Sequence, residues 1–243
     1  MNVLDNPKYS HLINRQPFYH RIGKTLLYNW ARFIFSWYTP LHVHGKKNIP
    51  DESFIFCSNH NAHLDVIALS LAANKNFNNI GMLAAKDYWF DSKVKRFLVN
   101  TVMNLIPIDR KVDGIRKFPI EGTIKLCNAF MNHNQRNIIM FPEGTRGEPG
   151  EILPFQKGPA IFSLNLNKPI LPAVIFGSHK IWPRGKVFFS WPTRIHIYIL
   201  EPLYPDSFLA GTNENGKKMD LAVKNMTSVL EKRIKKKAEQ LYE

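Results

Sequence analysis

Short apolar runs alternate with amphipathic stretches through the middle of the chain. Phe54–Ser58 is apolar almost throughout, the pattern of a short strand buried on both faces. Asp65–Ala73 reads as a helix, Ile80–Ala84 as a strand, and Asp91–Asn100 as a helix with Val94, Phe97 and Leu98 inward. Leu105–Ile108, Ile138–Phe141 and Ile170–Phe176 are further strands, separated by helices over Gly114–Asn132 and Pro159–Leu166. Phe188–Trp191 and Arg194–Leu200 resemble a hairpin around Pro192 and Thr193, the second strand alternating Ile195, Ile197 and Ile199. Strand–helix alternation predicts an α/β sandwich with a largely parallel central sheet and helices on its faces. No linker rich in Gly, Pro or Ser divides it, so a single domain is expected.

The two ends follow helical periods. In Ile22–Tyr38, residues Ile22, Leu26, Trp30, Phe33 and Trp37 recur three and four apart, one stripe of a helix. The segment holds Lys24, Asn29 and Arg32 and falls short of the ~20 apolar residues of a spanning helix. With Phe35 and Tyr38 beside the stripe, and Arg21, Lys24 and Arg32 in reach of headgroups, it has the composition of a helix lying in a membrane interface. Packing against the protein's own core is the competing reading. Lys217–Leu241 forms a second, basic amphipathic helix with Met219, Val223, Met226, Leu230, Ile234 and Leu241 on one stripe.

Charge sharpens this picture. The 243 residues carry 33 Lys and Arg against 19 Asp and Glu, a net of +14. Residues 1–50 hold seven basic side chains against Asp5, and residues 217–237 hold eight against Asp220 and Glu231. Twelve of the fourteen surplus charges therefore lie at the ends, which suggests a polyanion partner, a membrane surface or a nucleic acid; solvated basic helices on a soluble protein are the competing reading. No recognition motif accompanies the charge, so nucleic acid is not expected. A hydrophobic fraction of 44% excludes a disordered chain. The two cysteines, Cys57 and Cys127, exclude a disulfide framework and favour a reducing compartment. Asp5, Lys8 and Arg15 interrupt any apolar leader near Met1.

The chemistry begins after the first strand. In Ser58–Asp65, His60 falls in the strand-to-helix turn and Asp65 in the first helical turn, so the chain can fold back and let the carboxylate accept from one imidazole nitrogen. That fixes the tautomer and leaves the other nitrogen as a base for a substrate hydroxyl. Asp65 as a helix cap with His60 a polar loop residue, and a metal held by His60, His63 and Asp65, are the competing readings. Cys57 lies in an apolar strand and reads as an inert thiol. The second segment, Phe141–Gly147 (FPEGTRG), also follows a strand. Its glycines allow close backbone approach, Arg146 offers a fork for phosphate, and Glu143 can accept from a hydroxyl or hold an arginine. It is not a Walker A loop. Arg110, after Leu105–Ile108, and Lys86, after Ile80–Ala84, are two further cations at strand ends.

His60-x4-Asp65 with Asn59 before it, then IPIDR, FPEGTR and Lys168-Pro-Ile-Leu-Pro172, match in order and spacing the four motifs of the glycerolipid acyltransferases. From about Pro50 to Leu200 the chain resembles the 1-acylglycerol-3-phosphate acyltransferase family. Ala62 and Gly147 stand where that family often has Ser, and Pro107-Ile108 where it often has Phe-Ile. The resemblance implies transfer of a fatty acyl group from acyl-CoA or acyl carrier protein to the hydroxyl of a lysophospholipid. His60 would be the general base and Asp65 its orienter. Arg110, Glu143, Gly144, Thr145 and Arg146 would bind the glycerol phosphate, and Pro172 would shape the site. Beyond the resemblance, Lys86 is a cation at an adjacent strand end that could stabilise the phosphate or the oxyanion. No metal and no cofactor are expected. Another lipid acceptor (a lyso-ornithine lipid, an ether lysolipid or glycerol 3-phosphate) and a non-catalytic peripheral membrane protein remain alternatives. The expected organisation is a membrane-docking arm over 1–49, a catalytic domain over 50–205 and the basic helix over 206–243. The expected location is the cytoplasmic face of a membrane.

Overall fold

The computed structural model describes residues 3–62, 64–85, 97, 100–109, 118–148, 151–181, 192–209 and 216–242. The architecture is α/β, as the alternation predicts, with seven strands among the described residues: β1 Leu41–His44, β2 Ile55–Ser58, β3 Ile80–Ala85, β4 Asn104–Ile108, β5 Asn137–Met140, β6 Ile170–Phe176 and β7 Ile195–Ile199. The helices are α1 Ser10–Ile13, α2 Phe18–Trp37, α3 Asp65–Ala72, α4 Ile120–Asn132, α5 Gly158–Leu166, α6 Ser178–Ile181, α7 Asp206–Leu209 and α8 Gly216–Tyr242. The chain forms two compact units, one from residues 1–31 and 75–139, the other from 32–74 and 140–243.

In the first unit β3 pairs in parallel with both β4 and β5. Helix α4 packs on β4, and its Phe130 ring lies so close to β3 that a Cβ on Gly81 would meet the ring at 2.7 Å. Glycine is needed there for that approach. In the second unit the order is β1-β7-β6-β2. β1 is parallel to β7 and β2 to β6, while β6 and β7 are antiparallel. Every residue of β2 is buried, and β7 buries Ile195, Ile197 and Ile199 on one face, which is the alternation read in its sequence. No apolar run marks β1: it is half-exposed Leu-His-Val-His and gains its place from pairing with β7.

Two amphipathic helices turn their stripes opposite ways. Val223, Met226, Leu230 and Ile234 of α8 are buried, and the helix packs on β6 and α5. The α2 stripe instead faces outward: Ile22, Leu26, Trp30, Phe33 and Trp37 are 52–73% exposed, with Phe18 and Tyr19 beside them. The opposite side of α2 buries Tyr28, Ala31 and Phe35. Lys24, expected to reach headgroups, is wholly buried; it donates to Gln16 Oε1 at 2.6 Å and to the Asn100 carbonyl. Its place on the helix, opposite the apolar stripe, forces that outcome. Phe97, expected inward, is half exposed, its ring against Tyr19 and His20. Most of the expected helix over Asp91–Asn100 and the expected strand over Phe188–Trp191 lie outside the described residues. No helix among the described residues is long and apolar enough to cross a membrane.

Candidate active site

The site sits at the carboxyl ends of strands in the second unit, where open α/β sheets bind ligands. The first fixed point is Asn59, directly after β2. Its Nδ2 donates to the Ile175 carbonyl at 3.0 Å and to Asn61 Oδ1 at 2.8 Å, and its Oδ1 accepts from the Ile175 N–H at 2.8 Å. One amide thus replaces a backbone ladder pair between the end of β2 and β6, and frees the chain to turn.

That turn delivers His60 and Asp65 to each other. His60 Nδ1 lies 2.8 Å from Asp65 Oδ2. The same oxygen accepts the backbone N–H of Asn61 and of Ala62, each at 2.8 Å. Asp65 is fully buried and opens α3, yet it caps none of that helix's own N–H groups; it holds the loop before it. Three donors converging on one oxygen pin the carboxylate. An Nδ1–H donated to Asp65 leaves Nε2 with its lone pair, on a side chain that is 19% exposed.

The second segment wraps around the first. The His60 N–H donates to Glu143 Oε1 at 2.8 Å, and the Leu153 N–H to Glu143 Oε2 at 3.0 Å. The Gly147 N–H donates to the His60 carbonyl at 3.0 Å, while Asn61 Nδ2 donates to the Glu148 carbonyl at 3.0 Å. The Phe141 ring stacks on the imidazole, centroids 3.8 Å apart. Glu143 is buried, and burial pushes its carboxyl up from the usual range, opposed by its two backbone hydrogen bonds and by His60. Both Glu143 oxygens are therefore engaged by the fold. Gly144 turns the loop at φ +72°, and it and Thr145 are exposed while Arg146 is half-buried.

The structure thus brings His60, Asp65, Glu143, Gly144, Thr145 and Arg146 into one site. Lys86, Arg110 and His63 lie outside the described residues. Pro172 is buried within β6, opposite Cys57 of β2. Burial pushes the Cys57 thiol up, far from a reactive thiolate. Among the described residues no group of three or more His, Cys, Asp or Glu could hold a metal. Asn61 and His179 join the neighbourhood without having been singled out in the sequence. His179 follows β6; burial and Lys180 lower its pKa, and the Asp65 charge opposes them. Its signal was present, since a polar residue after a strand end is the same cue that picked out His60.

A protein-family model described as Acyltransferase matches residues 40–176. Among curated proteins, the 1-acyl-sn-glycerol-3-phosphate acyltransferase of Limnanthes alba is 25% identical over 189 residues, covering 77% of this chain and 63% of that protein. The protein of the same name from Helicobacter pylori (strain J99) is 33% identical over 149 residues, covering 61% of this chain and 58% of that one. The chain thus spans less than two thirds of each relative's length. The crystal structure of the 1-acyl-sn-glycerophosphate (LPA) acyltransferase PlsC from Thermotoga maritima matches with a TM-score of 0.65 at 22% identity, over 92% of this chain and 81% of that one, a likeness of fold.

Proposed function

The chain belongs to the acyltransferase family, and on that premise we propose that it transfers a fatty acyl group from an acyl-CoA or acyl-carrier-protein thioester to the free hydroxyl of 1-acyl-sn-glycerol 3-phosphate, giving phosphatidic acid. The observation that carries this reading is the 2.8 Å contact between His60 Nδ1 and Asp65 Oδ2, which leaves Nε2 as a base.

The acceptor hydroxyl sits against His60 Nε2 and gives up its proton as its oxygen attacks the thioester carbonyl. Asp65 stabilises the imidazolium that forms. The carbon–sulfur bond breaks, the thiolate leaves, and the imidazolium returns its proton to the sulfur. Arg146 pairs with the acceptor's phosphate in this reading. A thiolate is a good leaving group, so no acyl-enzyme is required.

The acceptor and product are membrane lipids, and the outward stripe of α2 suits the interface where they reside. Trp30, Phe33 and Trp37 insert at headgroup level, with exposed Arg21 and Arg32 toward anionic phosphates. The protein is thereby held on an anionic bilayer as a peripheral or monotopic enzyme at its cytoplasmic face.

Thiol release from acyl-CoA, measured across a panel of lysolipid acceptors and glycerol 3-phosphate, tests the reading. Turnover is expected with 1-acyl-sn-glycerol 3-phosphate and is expected to vanish in His60→Ala with the fold intact. Turnover that survives in a folded His60→Ala variant removes the base from the mechanism; preference for another acceptor replaces the substrate.

A further inference from the structure

A second cationic site lies in the first unit and uses none of the residues of the candidate active site. It is a cavity of about 600 Å³, built from the segment ahead of α2, from α2 itself, and from the turns that lead into β3 and β5. Arg15, Arg21, His133 and Arg136 line it, and no carboxylate among the described residues does. Among the described residues none of the three arginines forms an ion pair. Arg136 is 5% exposed, lies over the Phe130 ring, and donates from one terminal nitrogen to the Leu12 carbonyl at 3.3 Å. Its Nε is buried with no partner among the described residues.

The neutral residues of the cavity are almost all amides. Asn78 donates to Thr25 Oγ1 at 3.0 Å and to Asn76 Oδ1 at 2.9 Å, while its own buried Oδ1 has no partner among the described residues. An open donor and an open acceptor occur together. Behind this wall the Lys24 ammonium is held by Gln16, another lining residue. The Asn134 and Gln135 turn is held at φ +60° and +51°, a costly conformation for residues with side chains.

Burial, and after it the mutual repulsion of clustered cations without a counter-charge, lowers the titration of these groups. Burial and then Arg21 push Arg136 down to about 10. Burial and then Arg136 lower His133, and push Lys24 down to about 7. A bound anion would relieve all of these at once, and a guanidinium fork beside amide groups matches phosphate oxygens and a neighbouring hydroxyl.

We propose that this cavity binds a hydroxylated phosphoester, a second phosphate site separate from the one at Arg146. The same chemistry is carried by a soluble glycerol phosphate and by a phospholipid headgroup. The exposed Arg21 side chain lies on α2 beside the outward apolar stripe, so a headgroup could enter from a bilayer.

The test is thermal unfolding of the full chain at constant ionic strength. One arm adds glycerol 3-phosphate against chloride; the other adds phosphatidylcholine bicelles with or without phosphatidylglycerol. Arg15→Gln/Arg21→Gln removes two exposed cations of the site, and Lys46→Gln/Lys47→Gln removes two exposed cations elsewhere. Arg146→Ala removes the phosphate partner of the proposed active site. Near-saturating ligand should raise the Tm by about 3 °C, in Arg146→Ala and in the Lys46/Lys47 control alike, and should lose that rise in the Arg15/Arg21 variant. A rise with glycerol 3-phosphate supports the site with a soluble ligand; a rise confined to phosphatidylglycerol bicelles supports it with a lipid one. No rise in either arm, a rise that both double variants lose equally, or one that only Arg146→Ala loses, overturns it.

Discussion

The backbone N–H of His60 and the side-chain carboxylate of Glu143 meet at 2.8 Å, joining the loop after β2 to the loop after β5. The other Glu143 oxygen holds the Leu153 N–H at 3.0 Å. Glu143 is therefore a strut that sets where the imidazole stands. Glu143→Ala leaves two part-buried N–H groups without an acceptor, at a cost of up to about 1–3 kcal/mol each. The expected result is a lower Tm together with a kcat reduced well beyond any change in KM for the acceptor. An unchanged kcat would deny Glu143 this positioning role. Burial also raises its carboxyl, so the folded state binds more protons than the unfolded chain just above the ordinary carboxylate range. That contribution weakens the fold as pH rises through that window, and Glu143→Gln should flatten it in urea midpoints measured against pH.

Asp65 is held by more than its histidine. Its Oδ2 takes His60 Nδ1 and the N–H groups of Asn61 and Ala62. In Asp65→Asn, a side-chain oxygen kept on the two backbone donors can no longer fix the imidazolium, and the tautomer preference is lost. Activity should drop on the order of 10²–10⁴-fold while circular dichroism stays that of the parent. Full activity in a folded Asp65→Asn would break the pairing of roles.

Lys24 gives a pH signature. Its pKa is pushed down to about 7 from an ordinary 10.5, by burial and then by Arg136. Between those values the unfolded chain binds a proton that the folded chain lacks, so stability rises with pH across that window and is lowest below it. His20, lowered by burial and by Lys24, works in the same sense below its ordinary 6.5. Urea midpoints should climb from pH 7 upward, and Lys24→Met should flatten the climb. An equal slope in the variant would assign it to other groups.

The α2 stripe separates surface from core by a single comparison. Trp30, Phe33 and Trp37 are 56, 62 and 73% exposed. Replacing all three by Ser removes apolar burial worth about 1.5–3 kcal/mol per side chain from any interface they enter. Vesicle sedimentation should therefore weaken by two orders of magnitude or more, with little change in Tm. A collapse of Tm would mean that the stripe is core.

Much of this architecture was legible because apolar runs and strand ends are local signals. Ile170–Phe176 reads as a strand with its observed bounds, and His60 and the FPEGTR loop each announce themselves after the end of one, with Asp65 in the helical turn that follows. The orientation of amphipathic helices was less legible. The stripes of α2 and α8 look alike in sequence, yet only the second is covered, by β6 and α5, and periodicity cannot say what lies opposite. Lys24 was misread for the same reason. Its burial depends on Gln16 and on the Asn100 carbonyl, the latter a partner 76 residues away. Strand β1 escaped because its apolar residues are only half-buried, and Asn61 because a loop amide has no pattern until its acceptors at Gly147 and Glu148 are in place.

Seven large apolar side chains on one helix face are also a liability in plain buffer. With no lipid present, the α2 faces of two molecules can cover each other as readily as a bilayer covers one. The sample's apparent size would then follow protein concentration and detergent. An oligomer seen without lipid would reflect the water it was measured in rather than an assembly the enzyme uses.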